Sequence, residues 1–579
     1  MERIILSLIV FALSTLSLQA KDRTEREMQS IACKRLGLSK STMETKAVNT
    51  VVKKISESKQ LAIYNGKGRG FVVIAKDDDF VPVLGYSDTD YNTDAMPCGL
   101  KWWLRQVENS LEVRKANAQT YQPMVYVTTT ATNFITTSWN QQAPYNTLCP
   151  KIDGVAAPTG CIATAMAQIM YYYKYPVSGK GKGSYTVTTS EGATNYACDI
   201  NSTYEWTKMK NKYKRPTDDT DNAVATLMRD AGAASRMNYQ AASSGTIEWY
   251  AAKGFAENFR YDSLAISCLQ RDFYTDAEWM EMVRKEMDAK QPILYCGSDE
   301  IDGGHAFLLD GIQEDGKVHV NWGWSGSGNG WYDINILQPK SYDGSALSSG
   351  NGFNIGQSMA LGFKKQETPS AGEENISQWV TDGYSFYISN DELHVKLTNA
   401  YNYSHRVFEG RLDIVLQGMG DNSSKLYTDP IFETDIDFPY VGMMSGFDFG
   451  DSDSDSPEVD FNLSQEPELM NISAGTYKLF VGSKSTKENS YQCLRGVGGT
   501  IMYTLAVAAD GTMTLSQDGT TAISAVSVKQ NISAPYTYIY NMQGQEVYKS
   551  KTQEFNLSDV PAHGVLIVKQ GDTTRKVVK

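Results

Sequence analysis

The chain has 579 residues, 41% of them hydrophobic and 21% charged, and carries a formal net charge of −13. That length exceeds one core and implies about three to five domains. The acidity excludes nucleic acid and an anionic membrane surface as main partners.

Residues 1–20 combine a short cationic start, an apolar stretch and the small residue Ala20. This is the pattern of a secretory signal peptide cleaved after Ala20. The apolar run is too short for a membrane anchor, and no other segment is apolar enough to span a bilayer. The protein is expected outside the cytoplasm.

Residues 21–124 read as an α+β unit. Met28, Ile31, Ala32 and Leu36 predict a helix over 26–38, and strands follow at 70–75 and 80–85. A second helix presents Leu100, Trp103, Leu104, Val107 and Leu111 on one face. It runs into a polar stretch at 114–120 suited to proteolytic nicking.

Residues 125–365 hold the chemistry. Helical patterns fall at 161–174, 221–237 and 276–289. Strands are expected at 292–296, 306–310, 318–322 and 330–334. Gly160 ends a polar turn, so Cys161 sits at a helix start, where the dipole and open N–H groups are expected to lower the thiol pKa. Peptide hydrolysis by a thiol also needs a base, a group to orient it and oxyanion donors. Of the five histidines, His305 is the expected partner, flanked by Gly303 and Gly304 and anchored by the apolar run after it. His319 alternates with Val318 and Val320 and reads as a structural residue. Asn321 and Trp322 lie one hairpin from His305 and would orient and shield its ring. Trp322 and Trp324 are expected to share one strand face. Gln141, 20 residues before the cysteine, would supply an oxyanion N–H₂. The eight cysteines include no zinc-type pairs; the seven besides Cys161 read as buried filler, with any pairing left open.

Residues 366–520 show short alternating runs such as 384–388 and 393–397, with frequent Gly, Asn and Asp, the pattern of a β-sandwich. Asp451, Asp453 and Asp455 resemble a calcium loop only superficially, because Ser456 and Asn462 stand where glycine and glutamate are required. The last 59 residues, 521–579, read as a further small β unit.

Cysteine at a helix start, a distant histidine and then Asn-Trp is the chain order of papain-like thiol proteases. Four ordered motifs (159–170, 303–307, 319–324 and 352–357) resemble the streptopain and interpain family of these enzymes. The resemblance implies an α+β, two-lobed papain-like catalytic domain over 125–365, between an inhibitory propeptide (21–124) and C-terminal all-β domains. It makes Cys161 the nucleophile, His305 the base and acid, Gln141 the oxyanion residue, and Trp322 with Asn321 the orienting residues. It implies that the propeptide misplaces the histidine until cleavage near 114–126, that an apolar residue is preferred two positions before the scissile bond, and that loops 325–330 and 348–352 border the cleft. Ser325 stands where glycine is usual, and the extra core cysteines, Cys149 first, offer partners for oxidation of Cys161.

Residues 521–579 resemble a type IX secretion sorting domain, implying outer-membrane secretion machinery as a partner and a secreted or surface location in a Gram-negative bacterium. Protein or peptide substrates and the chain's own propeptide are the other expected partners; no cofactor, metal, nucleic acid or transmembrane anchor is expected. Two alternatives use the same residues differently: a thiol acyltransferase, and an adhesin acting through the β domains.

Overall fold

The structure is a computed structural model describing residues 21–38, 51–116, 121, 132–213, 221–299, 303–337, 356–366, 378–381, 383–397, 400–431, 436–438, 446–447, 459–466, 469, 472–518, 537–541, 546–550, 560, 565–570 and 573–578. The expected signal peptide, the loop at 348–352, the acidic loop at 451–456 and most of the expected cleavage region lie outside the described residues. The chain divides into two compact units, Met1–Asp518 and Gly519–Lys579.

Helix α1 (Glu25–Arg35) is set by a capping box between Thr24 and Glu27, with acidic residues in its first turn and basic ones in its last. It buries Met28, Ala32 and Cys33. Four antiparallel strands follow: β1 (Val52–Glu57), β2 (Leu61–Gly66), β3 (Gly70–Ala75) and β4 (Val83–Ser87). Strand β3, rich in branched and aromatic residues, is buried throughout. Helix α2 (Cys98–Ala116) buries Leu100, Trp102, Trp103, Val107 and Leu111.

Helices α3 (Cys161–Tyr173), α4 (Asp221–Ala234) and α5 (Glu248–Asn258) precede strand β5 (Ser267–Gln270) and helix α6 (Asp276–Asp288), and strands β6 (Ile293–Asp299), β7 (Gly303–Ile312), β8 (Val318–Asn321), β9 (Gly330–Tyr332) and β10 (Gln357–Leu361) follow. Among the described residues these strands and the N-terminal four make one sheet, ordered β1-β2-β3-β4-β9-β8-β7-β6-β10-β5. The seam between the two parts is an antiparallel pairing of Ser87, Tyr86 and Gly85 with Gly330, Trp331 and Tyr332. A Cβ on Gly330 would lie 2.1 Å from the Tyr86 carbonyl oxygen, so glycine permits that approach.

Side chains alternate across this sheet. Leu294, Ala306, Leu308 and Ala360 join the core containing α3, α4 and α5. Ile293, Tyr295, Phe307, Leu309 and Met359 join the core containing α2 and α6. One face therefore belongs to the cysteine helix, and the other is covered in part by α2.

The helices at 161, 221 and 276 agree with the sequence pattern, whereas α5 was not expected. Trp249, Ala251, Ala252, Gly254 and Phe255 are all buried, which leaves little polar contrast to reveal a period. Strand β8 ends at Asn321, so Trp322 and Trp324 lie in the following turn rather than on a shared strand face.

Beyond residue 366 the first unit is built of β-strands around Trp379, Val395, Leu412, Ile414, Leu479 and Val481. Its longest pairing joins Phe408–Gly418 to Gly475–Ser485. This part packs on the helices: Trp249 and Tyr403 meet edge to face at 4.5 Å. Arg495 donates to the Phe273 carbonyl at 2.8 Å and pairs with Glu278 at 2.7 Å. The second unit, by itself, contains a four-stranded antiparallel sheet of Glu546–Ser550, Thr537–Asn541, Val565–Gln570 and Thr573–Val578.

Candidate active site

The N-cap of α3 is Gly160, at φ 86° and ψ 146°, with no side chain capping the helix. A Cβ there would meet the Met237 thioether at 2.6 Å and the Ser244 carbonyl oxygen at 3.1 Å. The turn therefore requires glycine both for its dihedrals and for space. It leaves the first N–H groups of the helix beside Cys161.

The backbone N–H groups of Ala306, Ile162 and Cys161 itself favour the anionic form of the Cys161 sulfur. Here one sequence expectation fails. Burial pushes the thiol up from its ordinary value, and the three N–H groups only partly oppose it. In this fold the environment therefore favours the neutral thiol.

His305 and Cys161 line one cavity of about 80 Å³, with Gly245, Ile247, Cys296 and Ser358. The β6–β7 register sets Gly297 opposite His305 and Cys296 opposite Ala306. Paired residues face the same side, so His305 follows Gly297 toward α2, whereas Ala306 faces α3. A Cβ on Gly297 would lie 2.3 Å from the Trp102 indole, which leaves that side chain of α2 directly over the strand. Gly303, at φ 72°, is needed for its conformation; no atom lies within 4 Å of where its Cβ would be. The glycine that secures close approach near the histidine is thus Gly297.

Trp322 is buried against Phe307 at 4.7 Å and Tyr332 at 5.2 Å. Its indole N–H donates to the Gly328 carbonyl at 2.9 Å. Gly99 of α2 lies against its ring, where a Cβ would approach to 2.7 Å. Asn321 is also buried. Its amide donates to the Thr137 carbonyl at 2.8 Å and to Gln168 Oε1 at 3.2 Å, and its carbonyl accepts from Gly323 N at 3.1 Å. Gln168 lies on α3, so these bonds tie the strand end to the cysteine helix.

Gln141 is held next to that helix, its carbonyl accepting from Thr159 N at 3.0 Å. Its neighbour Asn140 donates to Ser325 Oγ at 2.8 Å. Ser325 adopts φ 57°, the conformation a glycine would enter more readily.

His319 packs in the core with its Nδ1 2.5 Å from Asp310 Oδ1, the structural role its alternation suggested. All eight cysteines are free. Cys149 is buried near the Tyr239 hydroxyl, 4.0 Å away, whereas Cys296 shares the Cys161 cavity. Cys98, at the start of α2, acts electrostatically on Cys161. The thiols neighbouring Cys161 are therefore Cys296, another of the core cysteines, and Cys98, whereas Cys149 lies apart. Among the described residues, the cluster suited to a metal ion is Asp77, Asp78 and Asp79, and Lys115 pairs with Asp77 at 2.7 Å. No helix among those residues is long and apolar enough to cross a membrane.

The Peptidase C10 family matches residues 139–332, and the Spi protease inhibitor family matches residues 20–111. The chain is 30% identical over 326 residues to streptopain of Streptococcus pyogenes, covering 52% of this chain and 80% of streptopain. It is 29% identical over 430 residues to the thiol protease/hemagglutinin PrtT of Porphyromonas gingivalis, covering 70% of this chain. The chain spans 49% of that relative's length. A solved fragment of prointerpain A from Prevotella intermedia aligns at 32% identity over 54% of this chain and 99% of the fragment, with a TM-score of 0.47.

Proposed function

This chain belongs to the peptidase C10 family of thiol proteases and carries a Spi-type inhibitor domain, and from that premise we propose that it is an exported cysteine endopeptidase made as a zymogen. The observation that carries this reading is the Cys161 sulfur at an uncapped helix start, in a cavity that both Cys161 and His305 line.

In the working enzyme His305 takes the Cys161 proton, and the thiolate attacks the scissile carbonyl. The Cys161 N–H and the Gln141 amide stabilise the oxyanion. The imidazolium protonates the leaving amine, and water releases the acyl group from sulfur. Trp322 shields the ring. Asn321 acts through Gln168 and Thr137, holding the strand end that carries Trp322 to the helix that carries Cys161.

Latency follows from α2. Trp102 covers the face toward which His305 points, while Cys161 packs with the core on the opposite side of the strand. Cleavage between about 114 and 126 separates the segment 21–124 from the catalytic part. Residues 521–579 form the sorting unit for passage across the outer membrane; deleting them is expected to trap the protein in the periplasm, read by cell fractionation.

The central test compares residues 21–579 as wild type and Cys161→Ala, incubated with thiol and followed by intact mass and N-terminal sequencing. Loss of the N-terminal segment in the wild type alone is the expected result. A wild-type protein processed by added mature enzyme and still inert on casein would refute the protease reading.

A further inference from the structure

One titratable group outside the proposed catalytic pair reaches the same cavity. Glu248, the first residue of α5, lines it beside Gly245, Thr246, Ile247 and Ser358, although the residue is only 4% exposed. Its carboxylate accepts from the Ser358 hydroxyl and the Cys296 thiol. Among the described residues no lysine, arginine or histidine pairs with it.

That arrangement is costly for a purely structural residue. Burial holds the carboxyl above its usual range, because the charged form loses its hydration without gaining a cation. Glutamine could accept from the same serine and cysteine without that penalty. An ionised carboxylate offers about four lone-pair sites, more than Ser358, Cys296 and its own backbone N–H use. The rest of the wall includes Ile162, Ile247 and Ala306, an apolar sleeve leading past the nucleophile.

Resting on the reading of Cys161 and His305 as the catalytic pair, we propose that this cavity is the S2 subsite and that Glu248 makes it accept a basic side chain. Lysine or arginine at P2 lays its alkyl stem along the apolar sleeve and sets its cation on the Glu248 carboxylate. The substrate class thus widens from peptides with an apolar P2 residue to peptides with a long P2 residue ending in a positive charge.

The test uses the full chain after self-processing, with three peptides differing only at P2: leucine, norleucine and lysine. Norleucine keeps the lysine stem and lacks the ammonium. Wild type is expected to give a kcat/KM for lysine at least equal to that for norleucine. Glu248→Gln is expected to lower the lysine-to-norleucine ratio by about ten- to a hundredfold, the range for losing a charged hydrogen bond. If leucine is cleaved and lysine runs below a tenth of norleucine, the proposal is overturned and the protease reading stands. An unchanged ratio in Glu248→Gln also overturns it. Should that variant fail to fold, the wild-type comparison alone decides. If processed wild type cleaves none of the peptides, the reading of the catalytic pair falls first.

Discussion

Gly160 sits in a region of φ/ψ space occupied essentially by glycine alone, immediately before the nucleophile. Gly160→Ala is expected to cost about 1–3 kcal/mol in a urea melt and to slow self-processing, since the strain is relieved by re-aiming Cys161. Wild-type stability in that variant would refute the account. For Cys161, burial keeps the thiol protonated at neutral pH in this fold. In a His305→Ala chain that cannot process itself, iodoacetamide should modify Cys161 more slowly at pH 7 than free cysteine. The rate should still climb above pH 9. Reaction as fast as free cysteine would contradict the buried site. At this scale the sequence was informative where chemistry is written locally: Cys161 and His305 each lie inside a distinctive run. Glu248 and Gln141 were harder to read, because their importance comes from contacts with distant strands and turns. The lowered thiol pKa was a sound inference from the helix start, overridden by burial among distant strand and loop residues that no local pattern reveals.

Helix α2 and strand β4 attach the N-terminal segment to the catalytic sheet in different ways, one by packing and one by backbone pairing. Trp102→Ala removes an indole that fills the space over Gly297. Large-to-small changes of this kind typically cost about 3–5 kcal/mol. Much of the loss should fall on the α2–sheet contact, so the variant should self-process sooner in a mass time course. Unchanged latency would place the restraint elsewhere. Elements with sharp ends were the legible ones. Helix α6 begins at a Thr275–Glu278 capping box, and α1 has the same device at Thr24 and Glu27. Helix α5 has no side-chain cap, and its outward polar face is narrow, limited to Lys253 and Glu257, so its sequence carried little contrast to detect. The continuation of β4 into β9 was equally hidden, because antiparallel partners about 240 residues apart share no local signal.

Across the whole first unit, the β-rich part packs closely on the catalytic helices. Besides Arg495 and Tyr403, Arg406 donates to the Ser263 carbonyl at 3.1 Å, and His405 Nε2 lies 3.4 Å from Ser263 Oγ. Burial, assisted by Arg406 and Lys253, lowers the His405 pKa from 6.5 to about 3. The ring is therefore neutral in the fold, whereas the unfolded chain takes up a proton near 6.5. Its contribution is whole above pH 6.5 and declines as pH falls toward 3, by up to about 1.4 kcal/mol per unit. His405→Gln should flatten this acid dependence in denaturant melts between pH 7 and 4.5; an identical slope would contradict it. The seam at β9 has a different consequence. Once the N-terminal strands depart, the hydrogen-bonding groups of Gly330, Trp331 and Tyr332 that met β4 are left as a bare margin. In the proposed zymogen, activation would therefore create a sticky border, onto which the shed fragment, or any extended chain of similar pattern, could zip back.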